Sequence, residues 1–504
     1  MGLGCLKVKA MNWRRLLFPK IEYILLMAIF WGIAASGPRI LNFDGDLPRH
    51  LLTGNLILNT QHVSTTDIFS YRTIGQPSFP HEWLAQVIFA IFDRLLGLGG
   101  VVLLTALLVM STWFFVYKES YQKSQSLFVS LVILVLAVAA SQLHVLPRPH
   151  VFTYLLLALW ISTLETFRAA DQRGWLLPVI MLLWVNLHGM FVIGIAVLGI
   201  YILGDALAQP SWTWFQKPKT KNLLIWGLLS FFTTFLSPSG IEIWHAIFDL
   251  GSNAYITSKI PEYLSPNFHL PETWPFILLL LGTLLGLARK SGSTSWTETL
   301  LVAFFTGLAL YTSRMIPLFA IVIAPIATRV ITSGIRQDLP VKKIWQLESN
   351  LDTVNSSAGG WIWLASIVLI VAFLFRSGTN IDPSNRGNKF DSRFFPVEAV
   401  EWLESHPQEG HMFNEFDWGG YLLLKLWPSY PIFMDGHTHI YGEALTREYE
   451  QVISLSPHWE EIIQQYEVRW AFVRAQSPLV NALLKTGQWE IAYQDDTAVI
   501  LDRK

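Results

Sequence analysis

The 504-residue sequence is poor in charge and almost devoid of cysteine. Charged residues make up 14% of the chain, whereas about 25% is usual in a soluble domain. Because so few charges cannot solvate the surface of a globule of this size, a soluble enzyme, a coiled coil and a disordered chain are excluded. The single cysteine, Cys5, excludes an intrachain disulfide, and too few residues precede it for a lipoprotein anchor.

An excess of basic residues is also missing, since 36 Lys and Arg stand against 37 Asp and Glu. Without a basic domain, we expect no nucleic-acid partner. Hydrophobic residues reach 52%, and the mean hydropathy is +0.39. The 22 tryptophans belong to a residue type that concentrates at membrane–water interfaces. These features indicate a polytopic membrane protein, integral to the plasma or inner membrane of the cell.

Apolar runs recur through residues 21–376, and a membrane-spanning helix needs about 20 such residues. The runs lie at 21–37, 97–116, 125–143, 150–167, 174–187, 189–207, 221–236, 273–288, 297–312, 315–333 and 361–376. A shorter amphipathic stretch covers 82–96. The sequence therefore predicts an α-helical membrane domain of about 11 or 12 spans over these residues.

Basic clusters indicate which ends of the spans face the cytoplasm. They occur within residues 1–20 and at 217–221, 289–290 and 336–343. We therefore expect a cytoplasmic N-terminus, external loops at 38–80 and 237–272, and an extracytoplasmic segment at 383–504. If Lys118 and Lys123 are also cytoplasmic, the chain must make a single net crossing of the membrane between residues 81 and 117. This leaves open whether 82–96 spans the membrane or lies along its interface.

The segment 383–504 has ordinary charge content and alternating strand and helix patterns. Strands are predicted at 411–414, 431–435, 469–473, 489–493 and 497–501. Helices are predicted at 396–405, 420–426, 443–455, 459–466 and 478–485. This alternation is typical of a small α/β domain, here expected to be soluble and extracytoplasmic.

Two carboxylates, Asp44 and Asp46, flank Gly45 directly after the first span. Glycine permits a tight turn, so both side chains can point toward one place. Such a pair suits a divalent cation, Mg²⁺ or Mn²⁺, or supplies a general base. Alternatively, Asp46 caps the helix that follows. We predict Asp44 and Asp46 as the catalytic pair, with Arg49 and His50 beside them as substrate-binding candidates.

Further polar residues interrupt or border the apolar runs, where charge is costly and usually faces a polar cavity. The additional substrate-binding candidates are His81, Glu82, Arg148, Asn186, His188 and Arg314. An arginine there can bind an anionic headgroup bidentately, or it can snorkel to the interface. His188 has the structural alternative of a hydrogen bond between helices, and the His81–Glu82 pair that of marking the interface.

Candidates for contact with an acceptor substrate, which we call the acceptor-side candidates, lie in the C-terminal segment. Asp417, Trp418 and Tyr421 surround a double glycine, and Asp435 follows a predicted strand. His437 and His439 have the spacing of two metal ligands, but no third ligand is near them in the sequence.

These features resemble the C-type glycosyltransferase (GT-C) superfamily, which includes protein O-mannosyltransferases, aminoarabinose transferases and oligosaccharyltransferases. The motif Asp44-Gly45-Asp46 matches the acidic motif of the family's first external loop, and residues 417–421 are similar to its W-W-D-Y-G motif, with Phe416 at the first Trp. The resemblance implies that one Asp activates the acceptor or holds a metal, and that Arg148 and Arg314 grip a lipid phosphate. It implies a sugar donor linked to polyprenyl phosphate.

Two other functions fit a chain of this class. One is a transporter or flippase for a lipid-linked or polar solute, although the sequence shows no inverted repeat and no paired broken helices. The other is a non-catalytic envelope assembly protein that uses its C-terminal segment for contacts.

Overall fold

The computed structural model describes residues 17–209, 213–289, 294–338 and 342–504. Most of the predicted cytoplasmic segment 1–20 lies outside this part of the chain, as do Cys5, Lys290 and three residues of the basic cluster at 336–343.

Helices dominate the described chain up to residue 376. They are α1 (Ile21–Ala35), α2 (Gly37–Asn42), α3 (Asp46–Thr60), α4 (Trp83–Leu96), α5 (Leu98–Ser124), α6 (Leu127–Ser141), α7 (His150–Ala170), α8 (Leu176–Leu187), α9 (Phe191–Ala208), α10 (Pro218–Thr233), α11 (Glu242–Ser252), α12 (Ala254–Lys259), α13 (Trp274–Ala288), α14 (Trp296–Tyr311), α15 (Ile316–Asp338), α16 (Lys342–Ser357) and α17 (Trp361–Arg376). Each predicted apolar run coincides with one of these helices.

Six helical segments of the described chain are long and apolar enough to cross a membrane. They are Leu98–Ser124, Leu127–His144, His150–Ala170, Phe191–Ala208, Pro271–Ala288 and Ser313–Gln337. Helices α1, α8, α14 and α17 are apolar but shorter. In a bilayer only helices and closed barrels satisfy every backbone polar group, so these apolar runs fold as helices. The protein is an integral, polytopic α-helical membrane protein.

Helix α4 covers the stretch whose topology the sequence left open. It runs beside α3, with Gln86 3.3 Å from His50 and Arg94 2.6 Å from Asn55. Helix α3 in turn packs Leu52 and Leu56 against the core of the C-terminal segment. Helix α4 therefore packs along α3, which itself contacts the C-terminal segment.

The C-terminal segment forms a small mixed α/β layer, as the sequence predicts. Its sheet has the order β1 (His411–Asn414), β2 (Val468–Arg474), β4 (Ala498–Arg503), β3 (Trp489–Gln494). Strands β1 and β2 pair in parallel, and the other two pairs are antiparallel. The helices are α18 (Val397–Ser405), α19 (Gly419–Leu426), α20 (Thr438–Ile453), α21 (Trp459–Gln465) and α22 (Pro478–Lys485).

The predicted strand at 431–435 is wrong. This stretch makes only an isolated bridge, between Ile432 and Ser70. The side chain of Asn414 replaces a strand ladder, because it accepts from the Phe433 N–H and donates to the Met434 carbonyl, both at 2.8 Å.

The loop at 38–80 completes the core of this layer. Phe69 is buried within it, and the Tyr71 hydroxyl donates to the Met412 carbonyl at 3.0 Å. The loop and the C-terminal segment therefore pack together over one end of the helical bundle. We call it the acidic end, because it carries Asp44, Asp46, Glu82 and Glu262.

Candidate functional site

The acidic turn connects α2 to α3. Asp44 accepts a hydrogen bond from the backbone N–H of Asp46 at 3.0 Å, which stabilises the turn. Asp46 is the first residue of α3 and makes no capping hydrogen bond. The capping explanation for Asp46 is therefore not supported, and its carboxylate is available for chemistry.

Arg148 holds the acidic turn from the loop between α6 and α7. Its guanidinium donates through Nε and Nη2 to both carboxylate oxygens of Asp44, and Nη2 lies 3.2 Å from Oδ2 of Asp46. The Asp44 side chain is 5% exposed, whereas that of Asp46 is 33% exposed. Asp44 is thus locked in a bidentate pair, and Asp46 is the more accessible carboxylate.

The two carboxylates have opposite pKa shifts. Burial raises the pKa of Asp44, but the charge and hydrogen bonds of Arg148 outweigh it and lower the pKa. For Asp46, burial raises the pKa to about 7; Arg148 opposes this, and Asp44, Asp435 and Glu82 add to it. A carboxyl group that titrates near neutral pH is suited to accept a proton from a substrate.

Glu262 joins the turn to the second arginine. Its Oε1 lies 3.6 Å from Arg148 and 3.1 Å from Arg314, whose Nη1 also donates to the Tyr263 hydroxyl at 2.9 Å. Burial raises the pKa of Glu262, but the charges of Arg314 and Arg148 outweigh burial and hold the pKa below its usual value. Sequence reasoning missed Glu262, because the only signal was a Pro-Glu-Tyr turn in an external loop.

Three histidines surround Glu82. Its carboxylate lies 4.0 Å from His50 and 3.7 Å from both His81 and His188. Nδ1 of His188 is 2.9 Å from the Thr153 hydroxyl, which accepts from the Trp184 indole at 2.8 Å. The Thr153 hydroxyl thus links His188 to Trp184 and fixes the His188 ring, whose Nε2 faces Glu82.

Both the oxygen and the nitrogen of the Asn186 side-chain amide form hydrogen bonds. Its oxygen accepts from the Trp83 indole at 2.8 Å, and its nitrogen donates to the carbonyls of Leu182 and Leu236. These contacts join α4, α8 and the stretch that follows α10. Substrate binding by Asn186 stays a prediction.

The C-terminal segment closes directly over the acidic turn. A Cβ at Gly436 would overlap Oδ1 of Asp46, and one at Gly420 would overlap the carbonyl of Gly45. At Gly420 a side chain would meet the backbone of the turn itself, and at Gly436 it would meet the carboxylate of Asp46, so neither position accommodates a Cβ without a shift. A buried ion pair between Arg49 and Asp435 joins the same two segments.

The Arg49–Asp435 ion pair joins α3 to the C-terminal segment. Arg49 also lies 3.8 Å from Asp67, and Asp435 accepts from the His437 N–H at 3.1 Å and the Tyr441 hydroxyl at 3.2 Å. Asp435 therefore lies in the wall of the site, with its oxygens occupied by protein donors.

The remaining acceptor-side candidates point elsewhere. Asp417 is 66% exposed and pairs with Arg474 at 2.8 Å. Trp418 is buried and donates to the Phe394 carbonyl, and Tyr421 is buried beside Phe395. Only the Asp417 carbonyl, against Gly45, touches the acidic turn. Acceptor binding by these three side chains stays a prediction.

A divalent cation at the acidic pair would have to compete with Arg148 for the carboxylates. Both oxygens of Asp44 and one of Asp46 face the guanidinium of Arg148, so an ion between them would meet a fixed positive charge. In the described part of the chain, no group of three or more His, Cys, Asp or Glu residues is arranged to hold a metal ion. Bound Mg²⁺ or Mn²⁺ stays a prediction.

No protein-family model and no curated protein matches the sequence. Solved structures do match. The oligosaccharyltransferase AglB of the archaeon Archaeoglobus fulgidus, in complex with an inhibitory peptide and a dolichol-phosphate, is 11% identical, with a TM-score of 0.57, over 90% of this chain and 69% of AglB. The apo form of an Archaeoglobus fulgidus oligosaccharyltransferase gives 12% identity and a TM-score of 0.55, with the same coverage.

The aminoarabinose transferase ArnT of Cupriavidus metallidurans, bound to undecaprenyl phosphate, is 12% identical, over 95% of this chain and 97% of ArnT, with a TM-score of 0.48. The likeness to the two oligosaccharyltransferase structures extends over nine-tenths of this chain. The protein therefore shares the fold of these two oligosaccharyltransferase structures.

Proposed function

We propose that this protein transfers a sugar from a polyprenyl-phosphate-linked donor to a lipid, glycan or protein acceptor at the extracytoplasmic face of the membrane. The observation that carries the proposal is the joining of Asp44, Asp46, Arg148, Glu262 and Arg314 into one ionic network at the acidic end. AglB and ArnT, which share this kind of architecture, were solved with polyprenyl phosphates.

The site suits an amphiphilic donor. Its prenyl chain would lie among the apolar helices, and its phosphate would face the cations at the end of the bundle. Arginine binds phosphate with paired, charge-assisted hydrogen bonds. Arg148 and Arg314 are the groups that would hold the phosphate and stabilise its charge as it leaves.

The transfer itself is one displacement at the anomeric carbon. The acceptor hydroxyl oxygen forms a bond to that carbon, and its proton passes to Asp46. The bond between the anomeric carbon and the phosphate oxygen breaks, and its electron pair leaves with the polyprenyl phosphate. Asp44 remains ionised and positions Arg148. The first loop and the C-terminal segment exclude water, which would otherwise hydrolyse the donor.

The proposed orientation places the N-terminus in the cytoplasm and the acidic end outside. Because the sequence contains only Cys5, a Cys5→Ser background allows single cysteines to be introduced at chosen sites. A cysteine at the exposed Asp496 should react with a membrane-impermeant maleimide in intact cells. Reaction only after permeabilisation would contradict the proposed orientation.

The proposal is tested by Asp44→Asn and Asp46→Asn in nanodiscs supplied with polyprenyl-phosphoryl sugars. Loss of the general base should lower kcat about 10²–10⁴-fold in Asp46→Asn. Asp205→Asn is the matched control, since Asp205 pairs with Arg168 away from the site. Wild-type rates in both site variants would remove the mechanism. Solute flux in proteoliposomes without any sugar transfer would favour a transporter instead.

A further inference from the structure

A cavity lies at the end of the bundle opposite the acidic end. It has a volume of about 500 Å³ and is lined in part by Arg336 of α15 and by Trp345, Glu348 and Asp352 of α16. Sites for small ligands usually enclose about 300–1,000 Å³. The cavity is therefore large enough to take a small polar group.

Two carboxylates line this cavity side by side. Glu348 and Asp352 are four residues apart on α16, so they lie on the same face of the helix. Oε1 of Glu348 accepts from the Phe128 N–H at 3.3 Å, and Oδ1 of Asp352 accepts from the Tyr121 hydroxyl at 2.7 Å. Among the described residues no cation pairs with either acid, and Oε2 and Oδ2 accept no hydrogen bond. Neutral donors thus orient both acids and leave their negative charges uncompensated.

One guanidinium lines the same cavity. Nη2 of Arg336 donates to the Gln125 carbonyl at 3.1 Å, and Cζ lies 5.1 Å from the centroid of the Trp345 ring. Within the part of the chain that the structure describes, no carboxylate forms an ion pair with Arg336. The cavity therefore presents a positive charge and a pair of negative charges that do not neutralise each other by direct contact.

The cavity lies among side chains that face the lipid. Phe128, in the first turn of α6, is 65% exposed. Leu347, Leu351 and Val354 are also exposed, and their spacing places them on one stripe of α16. Large apolar side chains exposed on a helix at the end of a membrane bundle are typical of a helix that lies in the membrane interface. A ligand therefore reaches the cavity from the bilayer.

We infer that this cavity binds the headgroup of a phospholipid that carries a primary ammonium, with the ammonium between Glu348 and Asp352 and the phosphate at Arg336. A primary ammonium donates three hydrogen bonds, and the free oxygens of the two acids accept them with the added strength of opposite charge. Phosphate is the anion that a guanidinium binds best. The site is remote from the acidic end, so the inference does not depend on the proposed function.

Ordinary phospholipids differ in how well they match these charges. Phosphatidylethanolamine supplies both the ammonium and the phosphate. The trimethylammonium of phosphatidylcholine has no N–H, so it cannot donate to Glu348 and Asp352. Phosphatidylglycerol has no cation and brings a negative charge near two carboxylates that repel it.

The first experiment measures lipid binding to the wild-type chain purified in detergent. The probes are phosphatidylethanolamine, phosphatidylcholine and phosphatidylglycerol with the same acyl chains, and native mass spectrometry gives their affinities. Phosphatidylethanolamine should bind at least about tenfold more tightly than the other two, because each of them loses charge-assisted hydrogen bonds. It should also raise the temperature of thermal unfolding the most.

The second experiment separates the two charges of the headgroup. Glu348→Gln keeps an oxygen for the Phe128 N–H but removes the negative charge, so affinity for phosphatidylethanolamine should fall at least about tenfold. Arg336→Gln should weaken all three lipids several-fold, because each has a phosphate, and should keep the preference for phosphatidylethanolamine. Glu404→Gln is the matched control, since Glu404 is exposed in α18 of the C-terminal segment.

Each result decides the inference. Equal binding of phosphatidylcholine and phosphatidylethanolamine by the wild type would mean that only the acyl chains are bound, and it overturns the ammonium site. Equal or tighter binding of phosphatidylglycerol would make the cavity an anion site and overturns it as well. Unchanged affinity for phosphatidylethanolamine in Glu348→Gln has the same consequence. The wild-type comparison needs no variant, so a folding defect in Glu348→Gln leaves the first test decisive.

Discussion

The two ends of the helical bundle differ in how their charged side chains are paired. At the end opposite the acidic end, Arg168 pairs with Asp205 at 3.0 Å and Arg329 with Glu298 at 2.8 Å, and one cation, Lys123, lies between two carboxylates, those of Glu165 and Glu119. At the acidic end, Arg148 contacts three carboxylates, Glu262 contacts two arginines and Glu82 faces three histidines. A charged side chain that has several ionic partners can exchange one of them for a ligand. A one-to-one ion pair only joins two helices.

The opposite end also contains a cavity, of about 500 Å³, lined in part by Trp345, Glu348 and Asp352. Its acids have structural partners. Glu348 accepts from the Phe128 N–H at 3.3 Å near the start of α6, and Asp352 accepts from the Tyr121 hydroxyl at 2.7 Å. Cavity size and the sharing of charges therefore point to different ends, and the proposed function rests on the sharing of charges.

The largest expected difference in activity between the two ends comes from removing one arginine at each end. Arg148→Ala should lower kcat by at least about 10³-fold, because it deletes a donor to the leaving phosphate and leaves Asp44 buried without its partner. Arg168→Ala should leave kcat within about twofold of wild type and lower only stability. Sugar transfer and thermal unfolding measured on both variants check this. Equal losses of activity would erase the distinction.

A smaller effect is expected from the contact between the C-terminal segment and the turn. In Gly436→Ala the added Cβ displaces Asp46 or the backbone, and a misplacement of about 1 Å costs on the order of 10²-fold in rate. Gly199→Ala in α9 is the control, because a Cβ there meets no atom within 4 Å. A wild-type kcat in Gly436→Ala would show that this closure is not needed for transfer.

The pH dependence should reveal the titration of Asp46. Its pKa is raised to about 7, so protonation removes the base as the pH falls through that value. The rate kcat/KM should fall about tenfold per pH unit below 7 and level off above it. Asp46→Asn should lack this dependence in its residual activity. A wild-type profile that is flat from pH 5 to 8 would argue against Asp46 as the base.

The smallest effect is expected at the opposite end. Asp352→Ala removes the acceptor of the Tyr121 hydroxyl and should lower the free energy of unfolding by about 1 kcal/mol. Transfer activity should stay at the wild-type level. Denaturation in detergent and the transfer assay measure the two quantities, and a tenfold loss of activity would mean that this end also takes part in function.

Much of the candidate site follows from its chemistry in the sequence. Asp44, Asp46, Arg148 and Arg314 stand out because charged residues beside apolar runs are costly and rarely lack a polar cavity. Glu262 did not stand out, because an acid in an external loop is ordinary. The side chains of Trp418 and Tyr421 are core residues, and aromatic motifs in a sequence do not distinguish a binding surface from a packed interior.

The sequence by itself determined that this protein is a helical membrane protein and where its helices lie, because an apolar run in lipid must satisfy its own backbone hydrogen bonds. It also determined the small sheet, through the alternation of strands and helices after residue 383. Only the tertiary structure decided that α4 packs beside α3 and that Glu262 bridges two arginines. Those pairings join residues far apart along the chain, and neither hydropathy nor periodicity specifies which distant charges meet.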